Sequence, residues 1–593
     1  MIRTPQIRER FARRGLWAGH DRAKALTIVA VTSILLLGPV LLGRGSYFGD
    51  WSNHLFVIDQ SRVAIASTGL PTYMLNTAGT GLLYPFMLFY GGSLYALGGY
   101  LSVLTGSSEI VYRALWLLGF AAAFGGTYWC GRLAGLRRTV ACWPALILVS
   151  SAYWLTNLYG RGALPEFVAT SFVPLLIAGS VATVIARAAR MRHLAAAGLA
   201  AFMITASHNI TMVWTALTCV ILLLAFGIAY RRRGLSGVGW RRPVLLAGVL
   251  GTAVAVNAWF LLPDLLWARY TPIVGTTDWI DNDLTGFFNS IEVVLSPLRF
   301  VPIESSTPEL FVQFPVLAAA VAIASTCALW KQADPAARAI AASGGGLCAL
   351  SLALIFLPPA IWSAMPAILK TVQFQYRLQF YATFGVALVV IAALRVVRRE
   401  TWNLGSETGS PAEAKRSSRL ASTVTAMIVI AGLVGLFQGA LQAWGAATYG
   451  RVLATDLAPG SLPTTWHAYH DYRMNKAAPI AGAESLPMLA LAPLREGALY
   501  APQAISPSIY RTGVASSPLL HGVGGLEVLG RSADNLAVVR ATKVVGASSD
   551  PVLVVVAPPP VLVGRLISIL AALLILAALC LRRVVLRWAN IPH

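Results

Sequence analysis

"ALTIVAVTSILLLGPVLLGRGSYFGDWSNH", Ala25 to His54, decides the fold. From Ala25 to Leu42 no residue is charged, and a helix of that length and polarity belongs in hydrocarbon, since a bilayer core of about 30 Å takes about 20 helical residues. Arg22 and Lys24 precede the run and no small-residue cleavage site follows it, so it reads as a retained first span. Directly after it, Asp50, Asn53 and His54 gather within a few residues at the level of the membrane surface.

Similar apolar blocks recur along the 593 residues, of which 57% are hydrophobic and 12% charged. The chain is therefore expected to be an all-α polytopic membrane protein. A net charge of +22 would suggest nucleic acid in a soluble chain. Here Lys and Arg cluster at the ends of apolar blocks, where they set topology, and no nucleic-acid partner follows. The six cysteines lie in or beside apolar blocks, which excludes a disulfide framework or zinc site.

The basic N-terminus, residues 1–24, is expected in the cytoplasm, which sends Ala25–Leu42 outward. Alternation of basic and non-basic loops then gives about twelve crossings with both termini inside, provided Tyr84–Leu104 stays on the outer side as a re-entrant or interfacial helix. Spans are expected near Val140–Trp154 and Val244–Leu262, among others. Residues 25–444 form the transmembrane domain and its outer loops, residues 445–560 an outer module, and residues 561–593 the last span and tail. "LEVLG", "NLAVVRA" and "PVLVVVA" mark short strands, hence a β-rich module. No Walker loop or Gly-rich phosphate turn occurs, which excludes ATP chemistry on the inner side. "HAYHD", His467 to Asp471, lacks a third placed ligand and reads as loop, so neither a metal nor a cofactor is expected.

Four polar clusters fall at outer span ends. Asp50, Asn53 and His54 stand at helical spacing. Asp50 is either a helix N-cap or a base that accepts a proton from an attacking hydroxyl. "NLYGRGALPEFVA" carries Arg161 and Glu166, the latter either complementing a helix dipole after Pro165 or serving chemistry. "ASHNITM" adds His208 and Asn209, and "LKTVQFQYRLQF" adds Gln373, Gln375 and Arg377. Ionisable residues at membrane depth mark a functional site. Twelve spans also suit a transporter or lipid flippase, but the two halves show no similarity and the outer segments are large for a carrier.

The order "DWSNH", "LLYPFMLFYGGSLYALGGYLS", "YGRGALPEF", "SHN", "QFQYR", over roughly Ala25 to Leu394, resembles the bacterial membrane proteins called 6-pyruvoyl-tetrahydropterin-synthase-related, which are similar to GT-C glycosyltransferases. Gln375 and Tyr376 stand where that family has Pro-Trp. The resemblance implies a glycosyltransferase of the bacterial cytoplasmic membrane, acting on its outer face. The implied donor is a polyprenyl-phosphate sugar and the acceptor a glycan or glycolipid. It further implies Asp50 as general base, Glu166 as a second site carboxylate, and Asn53, His54, Arg161, His208, Asn209, Gln373, Gln375 and Arg377 as substrate-binding residues.

Overall fold

The chain is presented as a computed structural model that describes residues 5–42, 50–76, 83–185, 190–231, 240–271, 289–300, 310–370, 372–403, 411–449, 478–489, 491–495, 499–502, 508–542 and 552–589. The helices run α1 (Pro5–Leu41), α2 (Trp51–Thr68), α3 (Gly92–Thr105), α4 (Ser108–Leu133), α5 (Arg138–Val149), α6 (Ala152–Leu155), α7 (Leu164–Ile185), α8 (Met191–Ser207), α9 (Asn209–Arg231), α10 (Arg241–Ala255) and α11 (Ala258–Trp267). They continue as α12 (Ile291–Val294), α13 (Val316–Ala328), α14 (Pro335–Ile355), α15 (Pro359–Ala364), α16 (Ala367–Lys370), α17 (Gln379–Asn403), α18 (Pro411–Tyr449), α19 (Pro559–Cys580) and α20 (Arg582–Ala589).

Among the described residues seven helical segments are long and apolar enough to cross a membrane, or nine if two bent pairs each count as one. Asn209–Leu224 and Val316–Ala328 are shorter apolar helices. The chain is a multi-pass membrane protein. Gln375–Arg398 is its central span, with 94% of its most apolar window buried by protein, whereas only 17% of the Pro559–Cys580 window is covered. That difference fits hydrocarbon as the solvent, because a lipid-facing span needs no protein to shield it.

Two expected spans are not straight. The one near Val140–Trp154 breaks by 64° between α5 and α6, at Ser150–Ser151, and ends in a π-helical turn, Thr156–Gly160. The one near Val244–Leu262 breaks by 73° before α11. There Asn257 turns its side chain across to α8, where Nδ2 donates to Thr205 Oγ1 at 2.7 Å and to the Phe202 carbonyl at 3.2 Å. Paired serines and side-chain intrusion are known causes of such breaks. Tyr84–Leu104 is not one helix: a strand end, a 3₁₀ turn (Phe86–Leu88) and the 14-residue α3 share it, and it does not appear among the candidate spans.

The basic clusters gather at one end of the bundle. Asp21 of α1 caps α5 from outside, its carboxylate accepting from the amides of Arg138 and Thr139 at 3.0 and 3.2 Å. Arg395 of α17 forks onto Asp334, the N-cap of α14, at 2.7 and 3.1 Å, and donates to the Ala134 carbonyl. At the opposite end stands the β module. One sheet has the order β1-β2-β6-β9-β8 with β3 (Met488–Leu489) also on β6; the other has the order β4 (Leu491–Arg495), β5 (Leu499–Pro502), β10, β7 (Leu520–Val523). β1 (Leu75–Asn76) and β2 (Leu83–Tyr84) come from the segment after the first span, and β2 pairs in parallel with β6 (Ser508–Ala515). β8 (Leu526–Arg531), β9 (Leu536–Ala541) and β10 (Val552–Val555) occupy the expected strand positions, with Val538, Val539 and Leu553 fully buried.

Candidate functional site

The site starts from two loops tied by one backbone bond. The Asp50 amide donates to the Arg161 carbonyl at 2.7 Å. The next residue on that loop, Gly162, has φ +62°, and a Cβ there would lie 2.6 Å from the Trp51 Cβ. Only glycine supplies both the left-handed turn and the room. Trp51 in turn sits edge-on to Tyr112 of α4, with ring centroids 4.7 Å apart.

Asp50 occupies the N-cap position of α2 without capping it: φ −82° and ψ 1° lie off the extended cap geometry, and its side chain accepts no amide hydrogen bond. The carboxylate is half-exposed, and no group among the described residues hydrogen-bonds to it. The cap reading of this residue therefore holds for position alone. Asp50, Asn53 and His54 share the first turn of α2, where the Asp50 carbonyl accepts from the His54 amide at 3.0 Å, but their side chains have different surroundings. His54 is buried and joined to Tyr95 Oη through Nδ1 at 2.6 Å. Asn53 is half-buried with no polar partner among the described residues. The reason is that α2 turns Trp51, His54, Leu55 and Ile58 inward against the bundle, so residue 54 follows the apolar face.

Glu166 is the hub of the site. At 2% exposure it begins α7, and Oε1 accepts from Tyr153 Oη at 2.5 Å and Asn157 Nδ2 at 3.2 Å. Oε2 accepts from Arg161 Nη1 at 2.8 Å, and Arg377 Nε lies 3.2 Å away as an ion pair whose angle is too poor for a hydrogen bond. One carboxylate thus serves two guanidiniums, which leaves the trio one positive charge in excess. Arg161 is further held by Tyr153 Oη and Asn157 Oδ1 at 3.0 and 3.1 Å. Arg377 is held by the Val372 carbonyl and by Gln373 Oε1 at 3.1 and 2.9 Å, above the Phe374 ring. Gln373 adopts φ +61°, a conformation costly for a non-glycine residue, which the bond to Arg377 helps to hold.

A wall of rings closes another side. Tyr90 stacks on His54 and meets His208 edge-on, with centroids 6.2 and 5.5 Å apart. His208 Nδ1 accepts from the Thr211 amide at 3.2 Å and lies 2.8 Å from its hydroxyl. Burial holds both imidazoles neutral, drawing the pKa of His54 down to about 4 and that of His208 to about 3. Burial also raises the Tyr90 phenol. Asn209 Nδ2 donates to the Phe89 carbonyl at 2.9 Å and to Asp264 Oδ2 at 2.5 Å, while Gln375 accepts from Asn289.

The structure thus gathers Arg161, Glu166, Gln373 and Arg377 in one network, brings Asp50 to it through the Arg161 peptide, and sets His54 and His208 on a common aromatic wall. Asn209 and Gln375 are spent on neighbouring loops. Tyr153, Asn157, Tyr90, Tyr95 and Asp264 were not anticipated. Asn157 and Glu166 lie in the same quoted loop, and their alignment depends on the π turn between them, which sequence periodicity does not register. His467–Asp471 lies outside the described residues.

No family model matches the chain, and no curated protein matches it. Solved structures similar to it include the arabinofuranosyltransferase AftD from Mycobacteria, with a TM-score of 0.41 and 17% identity over 72% of this chain and 27% of that one. An oligosaccharyltransferase of Archaeoglobus fulgidus in the apo form has a TM-score of 0.41 and 14% identity over 72% of this chain and 56% of that one. The archaeal oligosaccharyltransferase AglB from the same organism, in complex with an inhibitory peptide and a dolichol-phosphate, has a TM-score of 0.40 and 15% identity over the same shares. This chain spans less than two thirds of the length of each.

Proposed function

We propose that the protein is an integral-membrane glycosyltransferase of the GT-C type. On this reading it moves a sugar from a polyprenyl-phosphate donor to a cell-envelope glycan or lipid on the outer face of the bacterial cytoplasmic membrane. The observation that carries the reading is the uncommitted Asp50 carboxylate, positioned by the hydrogen bond from its amide to the Arg161 carbonyl, beside a Glu166 shared by two arginines.

The acceptor hydroxyl gives its proton to an Asp50 oxygen as its own oxygen bonds to the anomeric carbon. The anomeric bond to phosphate breaks with its electron pair going to the phosphate oxygen, so a phosphodiester monoanion leaves as a monoester dianion. Inversion follows from a single displacement. The excess positive charge of the Arg161, Glu166 and Arg377 trio suits that leaving group, and protonation of Asp50 removes a nearby negative charge as the phosphate gains one. Both arginines pair with Glu166 and nothing among the described residues accepts from the Nη2 of either, so each has a donor left for phosphate. Glu166 orients both guanidiniums, and His54, His208 and Tyr90 form a neutral wall for the sugar. Residues 25–444 serve as the catalytic domain and residues 445–560 as an outer module. Purified full-length protein given radiolabelled polyprenyl-phosphate sugars should release free polyprenyl phosphate and label an acceptor; absence of turnover across donors with an acceptor extract would refute the reading.

A further inference from the structure

A separate cavity lies behind the bent pair α5–α6, between the loop that carries Arg299, the start of α13, and α18. Arg299 enters it without an acid. Nη1 donates to Gln442 Oε1 at 2.9 Å and Nη2 to the Ser150 carbonyl, and no carboxylate among the described residues pairs with it. Burial alone acts on its charge and draws the guanidinium pKa down to about 9. Two further groups on the wall are unsatisfied. Ser151 Oγ and Gln313 Oε1 are buried with no hydrogen-bond partner, on side chains 3% and 5% exposed. Gln313 Nε2 is fixed by the Phe300 carbonyl at 2.8 Å, which leaves Oε1 as an acceptor without a donor.

Buried charges and buried polar atoms persist where a partner satisfies them. The guanidinium fork fits a phosphate. A phosphodiester, carboxylate or sulfate alone would set acceptor against acceptor at Gln313, so a lipid ligand also needs a headgroup hydroxyl hydrogen. The rim is apolar: Leu317 and Val434 are 43% and 37% exposed, on helices of the spanning bundle. We propose that this cavity binds the headgroup of an anionic phospholipid, with its phosphate on Arg299 and a free headgroup hydroxyl donating to Gln313 Oε1, as a glycerol headgroup does. Acyl chains then lie along Leu317 and Val434. The site is distinct from the Glu166 network but adjoins it in sequence, since Ser151 immediately precedes the helix that carries Tyr153.

The test uses full-length protein in nanodiscs of phosphatidylcholine, with and without phosphatidylglycerol, followed by mild delipidation and native mass spectrometry of retained lipid. Phosphatidylglycerol should be retained about tenfold or more over phosphatidylcholine, the scale of one charge-assisted hydrogen bond in a buried site. Arg299→Gln should erase the preference. Gln313→Glu puts a counter-ion in the cavity at the same size but gives up the bond to the Phe300 carbonyl, so it should keep the fold and abolish retention. Equal retention of the two lipids by the unmodified protein, or undiminished retention by Gln313→Glu, overturns the proposal. So does binding of free glycerol 3-phosphate without retention of phosphatidylglycerol, which would assign the cavity to a soluble phosphate ester.

Discussion

The Asp50 carboxylate and the two arginines around Glu166 allow sharp tests. Because Asp50 makes no capping bond, Asp50→Asn and Asp50→Ala should both leave thermal stability nearly unchanged, where loss of a working cap costs about 1 kcal/mol. Both should lose about a hundredfold or more in glycosyl transfer while donor binding survives. Near-normal transfer by purified Asp50→Asn protein would remove Asp50 as the base. Arg377→Lys turns a planar fork into a point charge and should lose much of the rate, whereas its effect on folding is limited to the bonds with Val372 and Gln373. The buried histidines set a pH trend of their own. With folded pKa values near 4 for His54 and 3 for His208, against 6.5 in the unfolded chain, only the unfolded state takes up protons as pH falls below 6.5. Stability should therefore decline progressively from pH 6.5 toward 4, by thermal melts in one detergent, and His54→Gln should flatten the decline.

Helix contacts place the site through small residues and rings. On α4, Gly126 meets the backbone of α7 so closely that a Cβ would lie 2.3 Å from the Leu175 nitrogen, whereas Gly125 has nothing within 4 Å. The two neighbours form an internal control. Gly126→Ala should force α4 and α7 apart and lower the melting temperature by several degrees, while Gly125→Ala should be neutral or gain up to about 1 kcal/mol of helix propensity. Since Glu166 lies in the first turn of α7, the Gly126 variant should also reduce activity. Trp116 and Trp154 both pack on Phe167, at 4.5 and 4.7 Å, so the residue after Glu166 is locked by rings from α4 and α6.

Across the whole molecule, the polar contacts sort into two groups, one at each end of the bundle. The module, Asp50, Glu166 and Arg377 share one end, and Asp21, Asp334 and Arg395 the other. Tyr73 after α2 receives a 2.6 Å bond from Arg565 Nε of α19, which joins the segment after the first span to the last span. In a cysteine-free background, an impermeant maleimide on whole cells should label Ser290→Cys and Ser485→Cys and spare His20→Cys and Lys331→Cys. Labelling of Lys331→Cys from outside would invert the proposed orientation.

Hydropathy and the placement of Lys and Arg were enough to read a polytopic helical protein with a small β module, because the transfer free energy of an apolar run and the identity of strand-forming residues are local properties. That Glu166, Arg161 and Arg377 are exceptional was likewise legible, since ionisable residues at span ends stand out against their surroundings, and the structure brings the three into one network. Local periodicity failed where backbone geometry intervened. It set Asp50, Asn53 and His54 at one helical spacing but carried no sign that His54 follows the buried face and bonds to Tyr95. It drew straight spans where Ser150–Ser151 and Asn257 bend them by 64° and 73°. That Arg377 meets Glu166 across 211 positions of chain, and that Tyr153 and Asn157 complete the network through a π turn, only the packed structure decided. Which buried charges share a partner depends on three-dimensional proximity, and no pattern of residues along the chain encodes that distance.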